Sequence, residues 1–193
     1  MWRENIMDEK MERSSAWELL THYNKGEALR KHGLAVEGVM RHFARLYGED
    51  EEVWGVIGLL HDLDYEMYPE EHCVKSQELM KDHNVPESYI RATASHGYGI
   101  VVDIKPETNA EKVLYTIDEL TGLVAASALM RPSKSVMDLE LKSVKKKFKT
   151  TSFAAGVDRQ VILNGCEMLD KTIDEVIEHT ILGMREVHEA IGL

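Results

Sequence analysis

The sequence predicts an all-α protein, built as a single-domain helical bundle, and three observations carry this prediction. Apolar residues recur at spacings of three and four along most of the chain, which is the periodicity of amphipathic helices. No stretch shows the convincing alternation of apolar and polar residues that is typical of a half-buried strand. The length of 193 residues fits one domain or slightly more and is sufficient to bury a core without disulfides.

Five helices are expected in the first half of the chain. The first begins near Ser14 or Ser15, where Glu18 would complete a capping box. Gly48 ends the second, because glycine readily adopts the left-handed conformation found after helix C-termini. The third is apolar nearly all round and therefore belongs in the interior. The four helices after the first cover about residues 27–47, 51–63, 70–83 and 86–95.

A loop over residues 97–108 separates these helices from the second half, where a long apolar helix comes first and Pro132 ends it. The segment Ser135–Asp138 resembles a capping box and introduces another helix. The segment Thr172–Glu175 has the same pattern and caps the last one. The expected helices cover about residues 109–130, a stretch after 138, 158–169, and the segment that ends near 191.

Charge and cysteine content limit the partners and the compartment. The chain has 34 acidic and 23 basic side chains, a formal net charge of −11, so we expect no long nucleic acid and no anionic membrane as partners. A small phosphorylated substrate remains compatible if a local basic pocket attracts it. Cys73 and Cys166 form no CxxC pair and are expected to be free thiols in a reducing compartment.

No membrane or export segment is expected. The segment Met1–Asp8 is too polar for a signal peptide, and the longest apolar run, residues 53–60, is too short to cross a bilayer. These features predict a cytoplasmic protein. The oligomeric state is left open.

Four ionisable residues interrupt apolar helix faces. His32 lies within an apolar stripe, His61 and Asp62 close the most hydrophobic helix, and Asp118 lies in the middle of the long apolar helix. A single buried histidine is usually an ordinary core residue, but unpaired buried charge is costly. Two imidazoles and two carboxylates on three inward-facing helices can offset each other's burial through a shared cation. Their nitrogen and oxygen donors favour Zn²⁺, Mn²⁺ or Fe²⁺, with Co²⁺, Ni²⁺ and Mg²⁺ left open.

This ordered set resembles the HD-domain superfamily. The resemblance spans about residues 27–130. Three stretches carry it: Leu29-Arg30-Lys31-His32, Gly58-Leu59-Leu60-His61-Asp62-Leu63-Asp64 and Tyr115-Thr116-Ile117-Asp118-Glu119-Leu120. The resemblance implies a helical bundle with His32, His61, Asp62 and Asp118 as metal ligands, and hydrolysis of a phosphate ester, often in a nucleotide. Residues 136–191 would pack on this core within one domain spanning residues 1–193. The segment Arg131–Ser135 is similar to that of small stand-alone HD hydrolases.

Some members of the superfamily hold two or more metals with additional histidines. Two adjacent histidines shortly before the last aspartate are typical of such sites, and this chain has no such pair. We therefore expect one metal, with His96 and His72 near it as phosphate contacts. The alternatives are a helix-terminal surface histidine for His96 and a first-turn surface histidine for His72.

Catalytic and substrate-binding groups beyond the ligands are candidates from position alone. Asp64 or Glu66 could orient or deprotonate the attacking water, although an acidic loop in solvent is an equal reading, and Tyr65 stands where the family often has glutamate. His96 could also protonate a leaving group. Arg131 and Lys134 follow the Asp118 helix and are expected to bind phosphate at the mouth of the pocket.

The predicted function is a metal-dependent phosphohydrolase that cleaves a phosphate ester or anhydride of a small molecule, with a nucleotide favoured, by means of a metal-activated water. One alternative is a module that senses or binds a nucleotide and retains the metal site. The weaker alternative is a di-iron oxygenase on the same scaffold, which the missing histidine pair disfavours.

Overall fold

The computed structural model describes residues 10–193, so the segment Met1–Asp8, used above to argue against a signal peptide, lies outside the described residues. Within that range the chain is helical, and its one β contact is an isolated bridge between Tyr98 and Val102. The all-α fold class is therefore confirmed. The α-helices are α1 (Arg13–Tyr23), α2 (Glu27–Tyr47), α3 (Glu51–Leu60), α4 (Val74–Asp82), α5 (Glu87–Ala94), α6 (Asn109–Leu129), α7 (Leu141–Phe148), α8 (Arg159–Met168), α9 (Ile173–Glu186) and α10 (His188–Ile191).

Helix α2 occupies the centre of the bundle, where it packs against α3, α9 and α6. Every residue of α3 from Trp54 onward is buried, as its apolar composition predicts. Phe43 of α2, Leu59 of α3 and Leu114 of α6 are completely buried in the shared core. Burial of a side chain of this size contributes about 1.5–3 kcal/mol. No helix in residues 10–193 has both the length and the hydropathy needed to cross a bilayer.

Glycines allow α2 and α9 to approach each other closely. A Cβ atom added at Gly183 of α9 would lie 2.6 Å from the Cα of Val39 and 3.2 Å from the carbonyl oxygen of Gly38. Backbone atoms cannot yield as the end of a flexible side chain can. The contact therefore requires glycine at position 183, and it holds α9 against the face of α2 that lies away from α3.

Two of the predicted capping boxes are wrong, and one is confirmed. Helix α1 begins at Arg13 without a side-chain cap, which places Ser14 and Ser15 inside its first turn. Asp138 pairs with Arg131 instead of capping a helix, and α7 begins only at Leu141. The box at Thr172 is present, since its hydroxyl oxygen accepts from the backbone N–H of Glu175 at 3.3 Å.

The most important difference from the predicted helices lies after α3. This helix ends at Leu60 rather than near residue 63, and residues 61–67 form a series of turns. A short 3₁₀ helix, Pro69–Glu71, and the shortened α4 follow in place of one continuous helix. His61 keeps helical backbone angles as the C-cap, and the turns begin with it, so His61 and Asp62 stand at the end of α3 rather than within it.

Replacement of Gly183 by alanine should weaken the packing of α9 on α2. We expect Gly183→Ala to lower the free energy of unfolding by about 1–3 kcal/mol, because overpacking forces a backbone shift. Gly122→Ala is the matched control, since the nearest atom to a Cβ there is 3.9 Å away. Alanine favours helix by up to about 1 kcal/mol, so this control should be neutral or stabilising. Urea denaturation measures both, and equal losses would contradict the close contact.

Candidate metal centre

The four residues singled out on apolar helix faces come together between α2, the end of α3 and α6. The Asp118 Oδ1 atom lies 2.9 Å from His32 Nε2 and 3.2 Å from His61 Nε2. The two imidazole nitrogens are 3.2 Å apart. Asp62 Oδ2 lies 3.3 Å from His61 Nε2 and 3.7 Å from His32 Nε2. Four donor atoms therefore surround one point.

His72 and His96 extend this cluster on the other side of Asp62. His72 follows the 3₁₀ helix Pro69–Glu71, and His96 lies in a second one, Ser95–Gly97. Their Nε2 atoms are 3.0 Å apart and lie 3.4 Å and 3.7 Å from Asp62 Oδ1. The Asp62 carboxylate thus stands between two pairs of imidazoles, with one oxygen facing each pair.

Hydrogen bonds at the Nδ1 positions determine which ring atoms face the centre. His61 Nδ1 lies 2.8 Å from the Gly58 carbonyl oxygen, and His72 Nδ1 lies 2.8 Å from Asp64 Oδ1. His96 Nδ1 faces the Thr93 carbonyl oxygen. In the neutral imidazole a ring that donates through Nδ1 presents a lone pair at Nε2. Lone pairs and carboxylate oxygens therefore face one another in the cluster, an arrangement that needs a positive charge between them.

The electrostatics of the metal-free cluster supply that charge as a proton. Burial opposes protonation of His61, but the carboxylates of Asp62 and Asp118 outweigh it and raise its pKa well above the ordinary value. Burial likewise opposes ionisation of Asp118, yet His61 and His32 hold its pKa well below the ordinary range. Burial lowers the pKa of His96, so this imidazole is neutral. The protonated His61 occupies the electrostatic role that a cation between the donors would take.

A cavity of about 450 Å³ opens onto the cluster. His32, His72, His96 and the two carboxylates form one wall. The remaining wall combines aromatic, apolar and small residues with a single additional carboxylate, and its members are Tyr65, Pro69, Gly97, Ile100, Val101, Tyr115, Glu119, Gly122, Gly156, Val157 and Val161. A small molecule in this cavity would touch the imidazoles and carboxylates directly.

Asp64 does not have the position predicted for a base that activates water. Its side chain is completely buried and does not line the cavity. One carboxylate oxygen accepts from His72 Nδ1, and the other accepts from the backbone N–H of Ser76 at 2.8 Å. Asp64 is therefore a positioning residue that orients the His72 ring and ties it to the start of α4.

Glu66 is also outside the cavity, so the structure does not bring it to the place that its predicted catalytic role requires. Its side chain is exposed, and Oε2 accepts from the backbone N–H of Gly26 at 2.8 Å. Gly26 is the residue immediately before α2. The contact ties the turns after α3 to the start of the helix that carries His32.

Arg131 and Lys134 lie far from the donors, so the structure does not bring the two predicted phosphate contacts to the cavity. Arg131 is 13 positions beyond Asp118 at the far end of α6, an axial distance of about 20 Å at 1.5 Å per residue. Its guanidinium pairs with Asp138 at 2.7 and 3.0 Å. Lys134 is exposed in the turn that follows, and neither residue lines the cavity.

His96 is also unsuited to its two predicted catalytic roles. The residue is only 6% exposed, and its ring nitrogens face the Thr93 carbonyl oxygen and the His72 imidazole. A neutral imidazole in this arrangement has no free N–H for a leaving group or a phosphate oxygen. The ring is placed as a donor atom within the cluster instead.

Comparison with known proteins identifies the fold around these donors. A family model of the HD domain matches residues 29–123, which include His32, His61, Asp62 and Asp118. The chain is an HD-domain protein. HD-domain families are generally metal-dependent hydrolases. No curated protein and no solved structure matches the chain.

Two residues near the HD-domain cluster were missed by sequence reasoning. Glu119 follows Asp118 directly and lines the cavity, with Oε2 accepting from the backbone N–H of Asp158 at 3.1 Å. Cys73 is completely buried, with Sγ 3.6 Å from His96 Nε2. Because Glu119 is adjacent to the candidate ligand Asp118 in the sequence, its position near the site could have been predicted. Nothing in the spacing of Cys73 indicated its contact with a histidine 23 positions later.

The two acidic residues of the turn after α3 should differ sharply in importance. We expect Asp64→Ala to lower the free energy of unfolding by about 2–4 kcal/mol, because it leaves the buried Ser76 N–H and the partly buried His72 Nδ1 without an acceptor. Glu66→Ala is the matched control and should cost about 1 kcal/mol or less, since Glu66 is exposed. Chemical denaturation of both metal-free variants measures the difference. Equal costs would contradict the assignment of Asp64 as the buried anchor of His72.

Proposed function

We propose that this HD-domain protein is a metal-dependent phosphohydrolase that cleaves a phosphate ester or anhydride of a small molecule. The observation that carries the proposal is the convergence of six donor side chains at one cavity, five of which line it while the sixth, His61, is completely buried. Such a cluster is costly to bury unless a cation joins its members. A divalent ion beside an open cavity is the arrangement that metal-assisted hydrolysis requires.

The donors fit a first cation position made by His32, His61, Asp62 and Asp118. Adjacent ligand atoms about 2.0–2.2 Å from a shared ion would lie roughly 3.0–3.4 Å from one another. The separations measured from the His61 Nε2 atom to the other three donors are between 3.2 and 3.3 Å. Three of the four side chains also line the cavity, so a ligand in the cavity would reach this position.

We further propose a second cation position next to the first, to which the other oxygen of Asp62 would contribute. His72 and His96 supply nitrogen donors there, and Asp62 Oδ1 lies within 3.7 Å of both. Asp64 fixes His72 through its Nδ1 atom, as carboxylates commonly do for histidine ligands of metals. This proposal replaces the expectation of a single metal with His72 and His96 as phosphate contacts.

A bound divalent cation would lower the pKa of water towards about 7 and neutralise charge on a phosphoryl oxygen. In the net reaction, the water oxygen forms a bond to phosphorus, the bond from phosphorus to the leaving oxygen breaks, and the leaving oxygen takes a proton. The chain's own contribution is orientation. Gly58, Asp64 and Thr93 hold three imidazoles through Nδ1, so their Nε2 atoms stay aimed at the centre.

The proposal is tested with chelator-stripped protein that is reloaded separately with Mn²⁺, Co²⁺, Ni²⁺, Zn²⁺, Fe²⁺ or Mg²⁺. We expect release of phosphate from members of a panel of nucleotides, sugar phosphates and aryl phosphates. Asp118→Ala should lose bound metal and activity, with helix content unchanged by circular dichroism. Asp138→Ala is the control, because that carboxylate is exposed and pairs only with residues distant from the cavity.

Three results would contradict parts of this proposal. Tightly bound metal without turnover of any panel member would favour a nucleotide-sensing module. Two irons per chain together with consumption of oxygen would favour an oxygenase. Full stoichiometric metal in Asp118→Ala would contradict the assignment of Asp118 as a ligand.

Metal binding should release protons, because the metal-free cluster holds one on His61. The raised pKa of His61 means that the protonated form persists to higher pH than for an ordinary histidine. We therefore expect apparent metal affinity to fall as pH falls, by roughly tenfold per pH unit below that pKa for each proton displaced. Titration calorimetry in buffers of different ionisation enthalpy counts the protons. Affinity independent of pH between 6 and 8 would contradict a proton held among these donors.

A further inference from the structure

The cavity over the donor cluster contains no Lys or Arg among the described residues that line it. The cationic side chains expected there, Arg131 and Lys134, lie at the far end of α6. A phosphoryl group in this cavity would therefore meet positive charge only at the cations that the donors hold. Within the cavity, each further anionic group on the same molecule would have no Lys or Arg side chain of the described residues to bind it.

The cavity carries a carboxylate beyond those of the donor cluster. Glu119 lines it, with Oε2 accepting from the backbone N–H of Asp158. A groove of about 650 Å³ adjoins the cavity and shares Ile100, Tyr115 and Val161 with it. Its ionisable lining is one lysine and three carboxylates: Lys105, Asp103, Asp158 and Glu167. Both compartments therefore disfavour anions beyond the first phosphoryl group.

The mouth of the cavity is apolar. Tyr65, Ile100 and Val101 all line it, and all three are exposed large hydrophobic residues. Exposed apolar side chains grouped at the rim of a polar site commonly mark a ligand contact. Tyr115 adds a second aromatic ring where the cavity meets the adjoining groove.

From this arrangement we infer the substrate class: a molecule with one phosphoryl group on an uncharged or cationic, largely apolar organic group, and not a polyphosphate. The inference rests on the proposed function, because it takes the donor cluster as the phosphoryl site. It narrows that function in two ways. The apolar mouth would contact the organic group of the substrate, and the Glu119 carboxylate would disfavour further anionic groups.

Three phosphonates of equal ring size test the inference without turnover. They are phenylphosphonate, 4-carboxyphenylphosphonate and 4-(aminomethyl)phenylphosphonate, measured by titration calorimetry on Mn²⁺-loaded protein at fixed free Mn²⁺. We expect the carboxylated probe to bind roughly threefold or more weakly than the other two, because the Glu119 carboxylate would repel its extra anion. Equal or tighter binding of that probe would overturn the inference and leave the proposed function standing. Failure of all three to bind would overturn the proposed function and, with it, the inference.

Glu119→Gln should reduce the difference in binding affinity between the carboxylated and the neutral probe. The amide oxygen can still accept the hydrogen bond from the Asp158 backbone N–H, so the fold is preserved. Glu178→Gln is the matched control, since Glu178 is exposed on α9 and lines neither the cavity nor the adjoining groove. If the difference in affinity between the two probes is unchanged in Glu119→Gln, the role assigned to this carboxylate is contradicted.

Ile100→Ser tests the apolar mouth separately. We expect this substitution to weaken the binding of phenylphosphonate roughly threefold or more and to leave the binding of methylphosphonate nearly unchanged. Only the larger probe reaches the mouth of the cavity. Leu46→Ser is the control, since Leu46 is similarly exposed on α2 and does not line the cavity. Equal losses for the two phosphonates would show that the mouth does not contact the organic group.

Hydrolysis of AMP, ADP and ATP gives a second readout, in which ATP cleaved as efficiently as AMP would overturn the inference.

Discussion

The Asp62 carboxylate is the contact on which the site depends. One of its oxygens faces His61 and His32, and the other faces His72 and His96. Asp62 holds this position in the turns that follow the end of α3 at Leu60. The surrounding helices in turn place imidazoles where each Nε2 lone pair points inward. A carboxylate between two such pairs is stable only with protons or cations beside it. The helices can therefore pack around this site only when the charge at its centre is compensated.

Much of the bundle was predictable because helical periodicity reports directly which face is buried. The ranges of α2 and α6 differ from prediction by at most one residue, and Gly48 ends α2 in the left-handed conformation. The four donors His32, His61, Asp62 and Asp118 were found by the same signal, since ionisable groups stand out on an apolar face. Their assembly around one point was an inference from charge compensation, and the observed distances agree with it.

The remaining site residues were harder to predict because their surroundings come from the tertiary structure. Asp64 and Glu66 lie two positions apart in one acidic stretch, yet one is completely buried and the other is exposed. His72 and His96 show no helical periodicity, since each lies in or beside a 3₁₀ segment whose direction the sequence does not specify. Arg131 follows the helix that carries Asp118, but residues 119–129 of that helix lie between them, and closeness in sequence was mistaken for closeness in space.

The corrected position of Arg131 also changes the account of how an acidic protein would attract a phosphorylated molecule. With a net charge of −11, a local basic pocket was expected to outweigh the field of the whole chain. Among the described residues, the cavity provides no such pocket and adds the carboxylate of Glu119. Cations held by the donors would then be the main source of local positive charge. Anion binding and metal binding are therefore coupled in the proposed site, because a cavity without cations presents three carboxylates to an incoming phosphate, and its only positive charge is that of protonated histidine.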